Sequence, residues 1–165
     1  METRQDLPKF SPKPFDLKSW RLQVDSLVNR PQFLKYDDLL ALPKISLTDD
    51  FYCLEGWTVR DILWEGTRLS SVLNLLAPKP EARFVLLASN EFSVVLQLER
   101  ALEESTILAL RKGGIMLDEF NGGPVRLILR NQQCYESVKG LTRISLLDTS
   151  EEGTAERIAL SRIRR

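Results

Sequence analysis

The sequence contains no histidine. That absence removes Ser-His-Asp and Cys-His nucleophilic machinery. General acid–base work falls to carboxylates, lysine or tyrosine. Only two cysteines are present, Cys53 and Cys134. Without histidine they cannot close a tetrahedral zinc shell, and they are too few for an iron–sulfur cluster or a disulfide framework. A single bridge between them stays open. There is no haem-binding pattern and no apolar run of the length a membrane span needs. Residues 1–16 are polar and proline-spaced, without the apolar core of a signal peptide. The expectation is a cytoplasmic protein with no membrane span. Formal net charge is zero, so there is no basic excess to neutralise phosphates and no nucleic-acid partner is expected.

What is present fits one globular domain. The chain has 165 residues, 43% of them hydrophobic, enough for a sizeable core. Pro8, Pro12 and Pro14 bias residues 1–16 toward an extended arm. Apolar–polar alternation predicts a strand over 20–25, resuming at Leu27 and Val28. Asp37 and Asp38 open a short helix that Pro43 ends. A strand over 45–54 delivers Cys53. Thr67 is placed to cap a helix over 68–76, with Leu69, Val72, Leu73 and Leu76 on its core face. Further strands are expected over 84–88, 92–98, 106–110, 125–130 and 143–147, and a short helix over 98–104. Residues 115–120 read as an irregular loop between the turn clusters Lys112-Gly113-Gly114 and Asn121-Gly122-Gly123-Pro124. From Thr149 onward the polar, arginine-bearing tail (Arg157, Arg162, Arg164 and Arg165) reads as a solvated helix or frayed end. The fold class is α+β, a single domain with a mixed, twisted or barrel-like β-sheet and short helices. It divides into an arm (1–16), the domain (17–148) and a tail (149–165).

The stretch with most chemistry is Phe51-Tyr52-Cys53-Leu54-Glu55-Gly56-Trp57. In an extended chain side chains two apart share a face, which puts Cys53 and Glu55 together. A thiol beside a carboxylate suits a metal or redox site. A buried cysteine acting as a small hydrophobe is the commoner case for the residue type alone.

The order of these pieces resembles the molybdopterin-binding catalytic domain of the sulfite oxidase family, from about Trp20 to Asp148. Trp20-Arg21-Leu22-Gln23-Val24-Asp25-Ser26-Leu27-Val28 resembles its opening strand, and Asp37-Asp38-Leu39-Leu40-Ala41-Leu42-Pro43 its first helix. Cys53-Leu54-Glu55-Gly56-Trp57 is similar to the segment carrying the molybdenum-ligating cysteine in shorter bacterial members. Trp64-Glu65-Gly66-Thr67-Arg68-Leu69 follows. Gly123-Pro124-Val125-Arg126-Leu127-Ile128-Leu129 and Ser137-Val138-Lys139-Gly140-Leu141-Thr142-Arg143-Ile144 resemble its closing strands. The resemblance implies two-electron redox chemistry at a molybdenum ligated by Cys53, a soft donor that suits the metal. It implies a pterin held by Asn121, Gly122, Arg126 and Lys139, and Glu55 near the metal as a catalytic group. Arg60, Arg68, Arg111, Arg130 and Arg143 are other cations that can serve as anion donors, although each alone reads as surface charge. The implied partners are a small-molecule substrate and a separate electron-transfer protein, because no second cofactor motif exists.

The chain departs from the family pattern at four positions. Asn121 stands where a histidine is common, Glu136 where a lysine is common, and Gly140 where a tryptophan is common. A tyrosine of the middle strand is Phe92. A buried, unpaired Glu136 would repel an anion by several kcal/mol. These departures support an alternative, a relative that keeps the fold without firm cofactor binding and serves as a ligand-binding or interaction module. Cys134 has no role in either reading.

Overall fold

The computed structural model describes residues 1–9 and 14–163. Pro12, Arg164 and Arg165 lie outside the described residues. Eleven strands form two sheets. The first contains β1 (Glu2–Arg4), β4 (Lys44–Tyr52), β5 (Trp57–Arg68), β8 (Ile107–Lys112), β9 (Ile115–Met116) and β10 (Arg126–Ile128). The second has the order β3 (Gln32–Leu34), β2 (Leu22–Ser26), β11 (Arg143–Leu147), β6 (Phe84–Ala88), β7 (Ser93–Gln97). The helices are short: α1 (Tyr36–Leu40), α2 (Leu69–Leu76), α3 (Leu98–Ala101) and α4 (Thr154–Ile163). The α+β class holds, with two sheets in place of one.

The organising strand is β5, which the sequence reading missed. It pairs with β1 in parallel and with β4 and β8 antiparallel. Arg60-Asp61 and Gly66 look like turn signals, yet each lies within the strand. Asp61 takes φ +54 where the β4–β5 register slips between Asp49 and Phe51, and its N–H is accepted by Asp50 at 2.9 Å. Gly66 lies at a second slip, where a Cβ would come within 2.9 Å of the Ala109 Cα. Only a glycine allows that approach. Thr67 is consequently the penultimate residue of β5 and donates to the Pro43 carbonyl at 3.1 Å. It does not cap α2. The orphan N–H of Leu69 is satisfied by the Thr106 carbonyl at 3.0 Å.

Two apolar clusters result. The larger joins the second sheet to α2, with Leu69, Val72, Leu73 and Leu76 buried as the helical spacing predicts. The smaller lies on the first sheet, around Leu47, Phe51, Trp57, Trp64, Ile107 and Ile128. Strand β4 stops at Tyr52, two residues short of the expected end. The chain after Ser26 takes φ +71 and returns to pairing only as a bridge from Val28 to Pro78. Residues 115–120, read as an irregular loop, instead contain β9 and the start of a 3-10 turn, Glu119–Asn121.

The arm and the tail are both docked. β1 extends the first sheet at β5. Helix α4 is held to β7 by Ser93 N–H donating to Thr154 Oγ1 at 2.9 Å and Thr154 N–H donating to Ser93 Oγ at 3.2 Å. Ala155 is buried. The tail is thus a largely solvated helix, one of the two outcomes expected of its composition, docked at its first turn. Among the described residues, no helix is long and apolar enough to cross a membrane.

Candidate cofactor site

A cavity of about 550 Å³ opens where the β4–β5 hairpin tip, the β6–β7 turn and two loops converge, bordered also by α4. Its volume lies within the range of small-molecule and cofactor sites.

One side is the hairpin tip. Cys53 N–H donates to the Trp57 carbonyl at 2.9 Å, and Gly56 N–H donates to the Cys53 carbonyl at 3.0 Å. Gly56 takes φ +90, a conformation that favours glycine. Residues 53–56 are therefore a turn and not the strand end expected, so Cys53 and Glu55 do not share a face by strand alternation. Both nevertheless line the cavity. Cys53 is half-buried and Glu55 exposed. Trp57 Nε1 donates to Glu55 Oε2 at 3.3 Å and orients the carboxylate. Trp57 is fixed in turn by stacking on Phe51 (centroids 5.8 Å apart) and by the Arg4 guanidinium, 4.7 Å from its ring centroid.

The second cysteine enters here. Cys134 opens a 3-10 turn, Cys134–Glu136, and borders the same cavity. Burial pushes the Cys53 thiol up to about 11, and the neighbouring Cys134 thiol adds to the rise. Sequence spacing gave no sign of this meeting, because it depends on how the loop after β10 folds back to the hairpin.

The opposite side is cationic and deep. Segment 137–141 runs beside segment 122–127, with Gly140 N–H donating to the Gly122 carbonyl at 2.8 Å and Leu141 N–H to that of Val125 at 2.9 Å. This brings Arg126 and Lys139 together. Arg126, a surface charge by residue type alone, is only 2% exposed. Its Nε donates to Ser137 Oγ at 2.8 Å and its Nη1 to the Asn121 carbonyl at 3.3 Å. The guanidinium carbon lies 5.1 Å from the Trp64 centroid and 5.8 Å from that of Phe51. Among the described residues, no carboxylate pairs with it and no protein acceptor takes its Nη2. Burial pulls its pKa down to about 10. Lys139 is half-buried, and burial, followed by repulsion from Arg126, lowers it to about 8.

Gly122 takes φ +86, and a Cβ there would meet Lys139 Cγ at 2.7 Å and Lys139 Cβ at 2.8 Å. The close approach this glycine allows is to the two cations themselves. Asn121 sits behind the lining: its side-chain amide donates to Asp118 Oδ1 at 2.7 Å, and its contribution is the carbonyl that accepts from Arg126. Glu136 is buried but paired. It forms a two-pronged ion pair with Arg100, one branch at 2.9 Å, and accepts from Gln133 N–H at 2.8 Å. It does not border the cavity. The repulsion expected of an unpaired Glu136 therefore does not arise. Glu55, Glu91 and the cation Arg162 are exposed at the rim, and Arg126 and Lys139 lie deeper.

The donor set fits a pterin-dithiolene metal cofactor: a soft sulfur on one side, and on the other a buried cation without a protein counter-charge. Comparisons with known proteins bear on this. The family model for the oxidoreductase molybdopterin binding domain matches residues 9–155. The chain belongs to this family. It is 31% identical over 143 residues to the uncharacterized oxidoreductase YuiH of Bacillus subtilis, covering 86% of this chain and 72% of that protein. It is 29% identical to the protein-methionine-sulfoxide reductase catalytic subunit MsrP of Gluconobacter oxydans, covering 92% of this chain and 54% of MsrP. Against MsrP, then, the chain spans about half the relative's length. The sulfane dehydrogenase SoxCD of Paracoccus pantotrophus matches in structure with a TM-score of 0.78 at 20% identity, over 84% of this chain and 40% of SoxCD. That likeness confirms the sulfite oxidase-like fold. The chain is a molybdopterin-binding oxidoreductase domain, and a fold-only relative without redox function is not favoured.

Proposed function

We propose that this domain holds a molybdenum cofactor between the Cys53 turn and the Arg126–Lys139 floor, and that it reduces a small organic sulfoxide. When bound, the cofactor supplies a metal that exchanges two electrons. The observation that carries the reading is the buried Arg126, which among the described residues lacks a protein counter-charge and opens on the cavity that also holds Cys53. A charge so placed costs several kcal/mol unless an anion completes it, on the order of the penalties for buried ions.

The residues divide the work. Arg126 and Lys139 receive the anionic part of the cofactor, and the Asn121 carbonyl and Ser137 hydroxyl hold the guanidinium in place. Gly122 leaves room for both cations. Cys53 provides the sulfur ligand. Because its thiol is pushed up to about 11, ligation releases a proton, so metal uptake is favoured by rising pH. Glu55, aimed by Trp57, stands at the mouth, where Oε1 holds or delivers a proton to the substrate oxygen. Phe51, Phe92 and Trp20 provide apolar wall for an organic substrate. The exposed Glu55 carboxylate beside Cys53 disfavours an oxyanion such as sulfite. MsrP, named as a protein-methionine-sulfoxide reductase catalytic subunit, supports the sulfoxide as the reducible group and an electron supply from a separate protein.

The test is elemental analysis of protein from a cofactor-producing host, with Cys53→Ser alongside. Near-stoichiometric molybdenum in the wild type, lost in Cys53→Ser, is the expected result. Wild-type protein without molybdenum overturns the reading. On loaded protein, sulfite turnover faster than sulfoxide turnover overturns the substrate assignment.

A further inference from the structure

The chain has only two thiols, and the fold brings both to one cavity. Cys53 has a role in the proposed function and Cys134 has none. Both are half-buried and free, and both pack against the smaller apolar cluster. The two sulfurs are electrostatic neighbours, and the Lys139 ammonium lies within Coulombic reach of both. Neither belongs to a strand ladder: one opens a turn and the other a 3-10 turn. A disulfide between them needs the two turns to bring their Cβ atoms to roughly 3.8 Å across the cavity.

We infer that Cys53 and Cys134 are a redox-active pair: in the cofactor-free domain they react with a low-molecular-weight disulfide such as oxidised glutathione and close to an internal disulfide. The chemistry balances in two exchanges. One cysteine sulfur, giving up its proton, attacks the small disulfide, forming a mixed disulfide and releasing one thiolate. The other cysteine sulfur, also deprotonated, attacks the protein sulfur of that mixed disulfide and releases the second. Two protein thiols are oxidised, one small disulfide is reduced to two small thiols, and the two protons pass to the released thiolates. The cavity admits the reagent to both sulfurs. Closure needs no metal. Its consequence rests on Cys53 being the metal ligand: a bridged Cys53 has no thiolate to offer, so the oxidised domain cannot be loaded until a thiol reopens it. Cys134 thereby protects the empty site from irreversible oxidation.

The experiment uses the full chain from a host that makes no pterin cofactor, reduced, then equilibrated with oxidised glutathione and quenched with N-ethylmaleimide. Expected by intact-mass and peptide analysis is a monomer two hydrogens lighter, with no maleimide or glutathione adduct and a Cys53–Cys134 cross-link. Two maleimide adducts, stable mixed glutathione adducts, or a disulfide-linked dimer overturn the proposal. Cys134→Ser should stop at a single thiol, alkylated or glutathionylated. Complete loss of its reactive thiol without such an adduct also overturns it. The failures are separable. Reduced protein that never takes up molybdenum refutes Cys53 as ligand while the disulfide stands. Reduced protein that loads molybdenum but never bridges refutes the pair alone.

Discussion

The two sides of the cavity are built in opposite ways. The Cys53 side is a hairpin turn held by two backbone hydrogen bonds, with a half-buried thiol and an exposed carboxylate. It is inexpensive to form, and its side chains were free to change without unfolding the sheet. The Arg126 side is expensive. A guanidinium with 2% exposure is wedged between aromatic rings and given only neutral acceptors, and a second cation beside it is depressed to about 8. Two like charges in a partly desolvated site destabilise the empty domain and gain their return from an anion. The comparison shows where binding free energy is stored: in the floor, ahead of the ligand, while the thiol supplies identity at the mouth.

The largest effect should come from neutralising that floor. Arg126→Met keeps much of the volume and removes the charge. Affinity for the cofactor should fall by about 2–5 kcal/mol, as when one member of a buried charge pair is lost. The empty domain should meanwhile lose little stability or gain some, because a buried charge is removed. Pterin content after purification and denaturant unfolding of cofactor-free protein read the two halves. A variant that unfolds more easily and still retains cofactor would reverse the assignment of cost and return.

A smaller effect is expected at Gly122. Gly122→Ala places a methyl 2.7 Å from Lys139 Cγ at φ +86. The strain and the displaced lysine should cost about 1–3 kcal/mol of stability, read by the denaturant midpoint. Gly56→Ala has equal backbone strain, with φ +90, but no atom within 4 Å of the new methyl. The two substitutions together separate backbone strain from crowding of the cations. Equal losses would show that the Gly122 contact with the floor has no weight.

This contrast also explains what was legible in the sequence. Residues 143–147 and 84–88 alternate or run apolar between clear breakers, and both strands appear at those bounds. The α2 stripe is local and was equally readable. The long β5 was not, because its glycine and its charged pair carry turn chemistry while functioning as slips in a ladder that β1, β4 and β8 complete. At the site, Cys53 was marked by its motif, whereas the burial of Arg126 and the approach of Cys134 depend on segments far apart in the chain. Glu136 is the clearest case. Its charge looked misplaced until the fold supplied Arg100 from α3. Ion-pair partners across separate elements leave no local pattern.

The smallest effect concerns pH. In the folded, cofactor-free domain Lys139 titrates near 8, below its ordinary value near 10.5. Below pH 8 both folded and unfolded chains carry the proton and the full cost of burying the charge is present. Between about 8 and 10.5 the unfolded chain binds more protons, so stability rises with pH through this group. Cys53 acts in the opposite sense. Its thiol is raised from 9.0 to about 11, so above pH 9 the unfolded chain releases the proton first and stability falls. The window from pH 8 to 9 therefore isolates the lysine, with a slope of at most about 1.4 kcal/mol per pH unit. Subtracting the curve of Lys139→Met from that of the wild type should leave this rise and no other. A flat difference would mean that Lys139 carries its charge at no cost in the empty domain, leaving Arg126 alone as the cationic store.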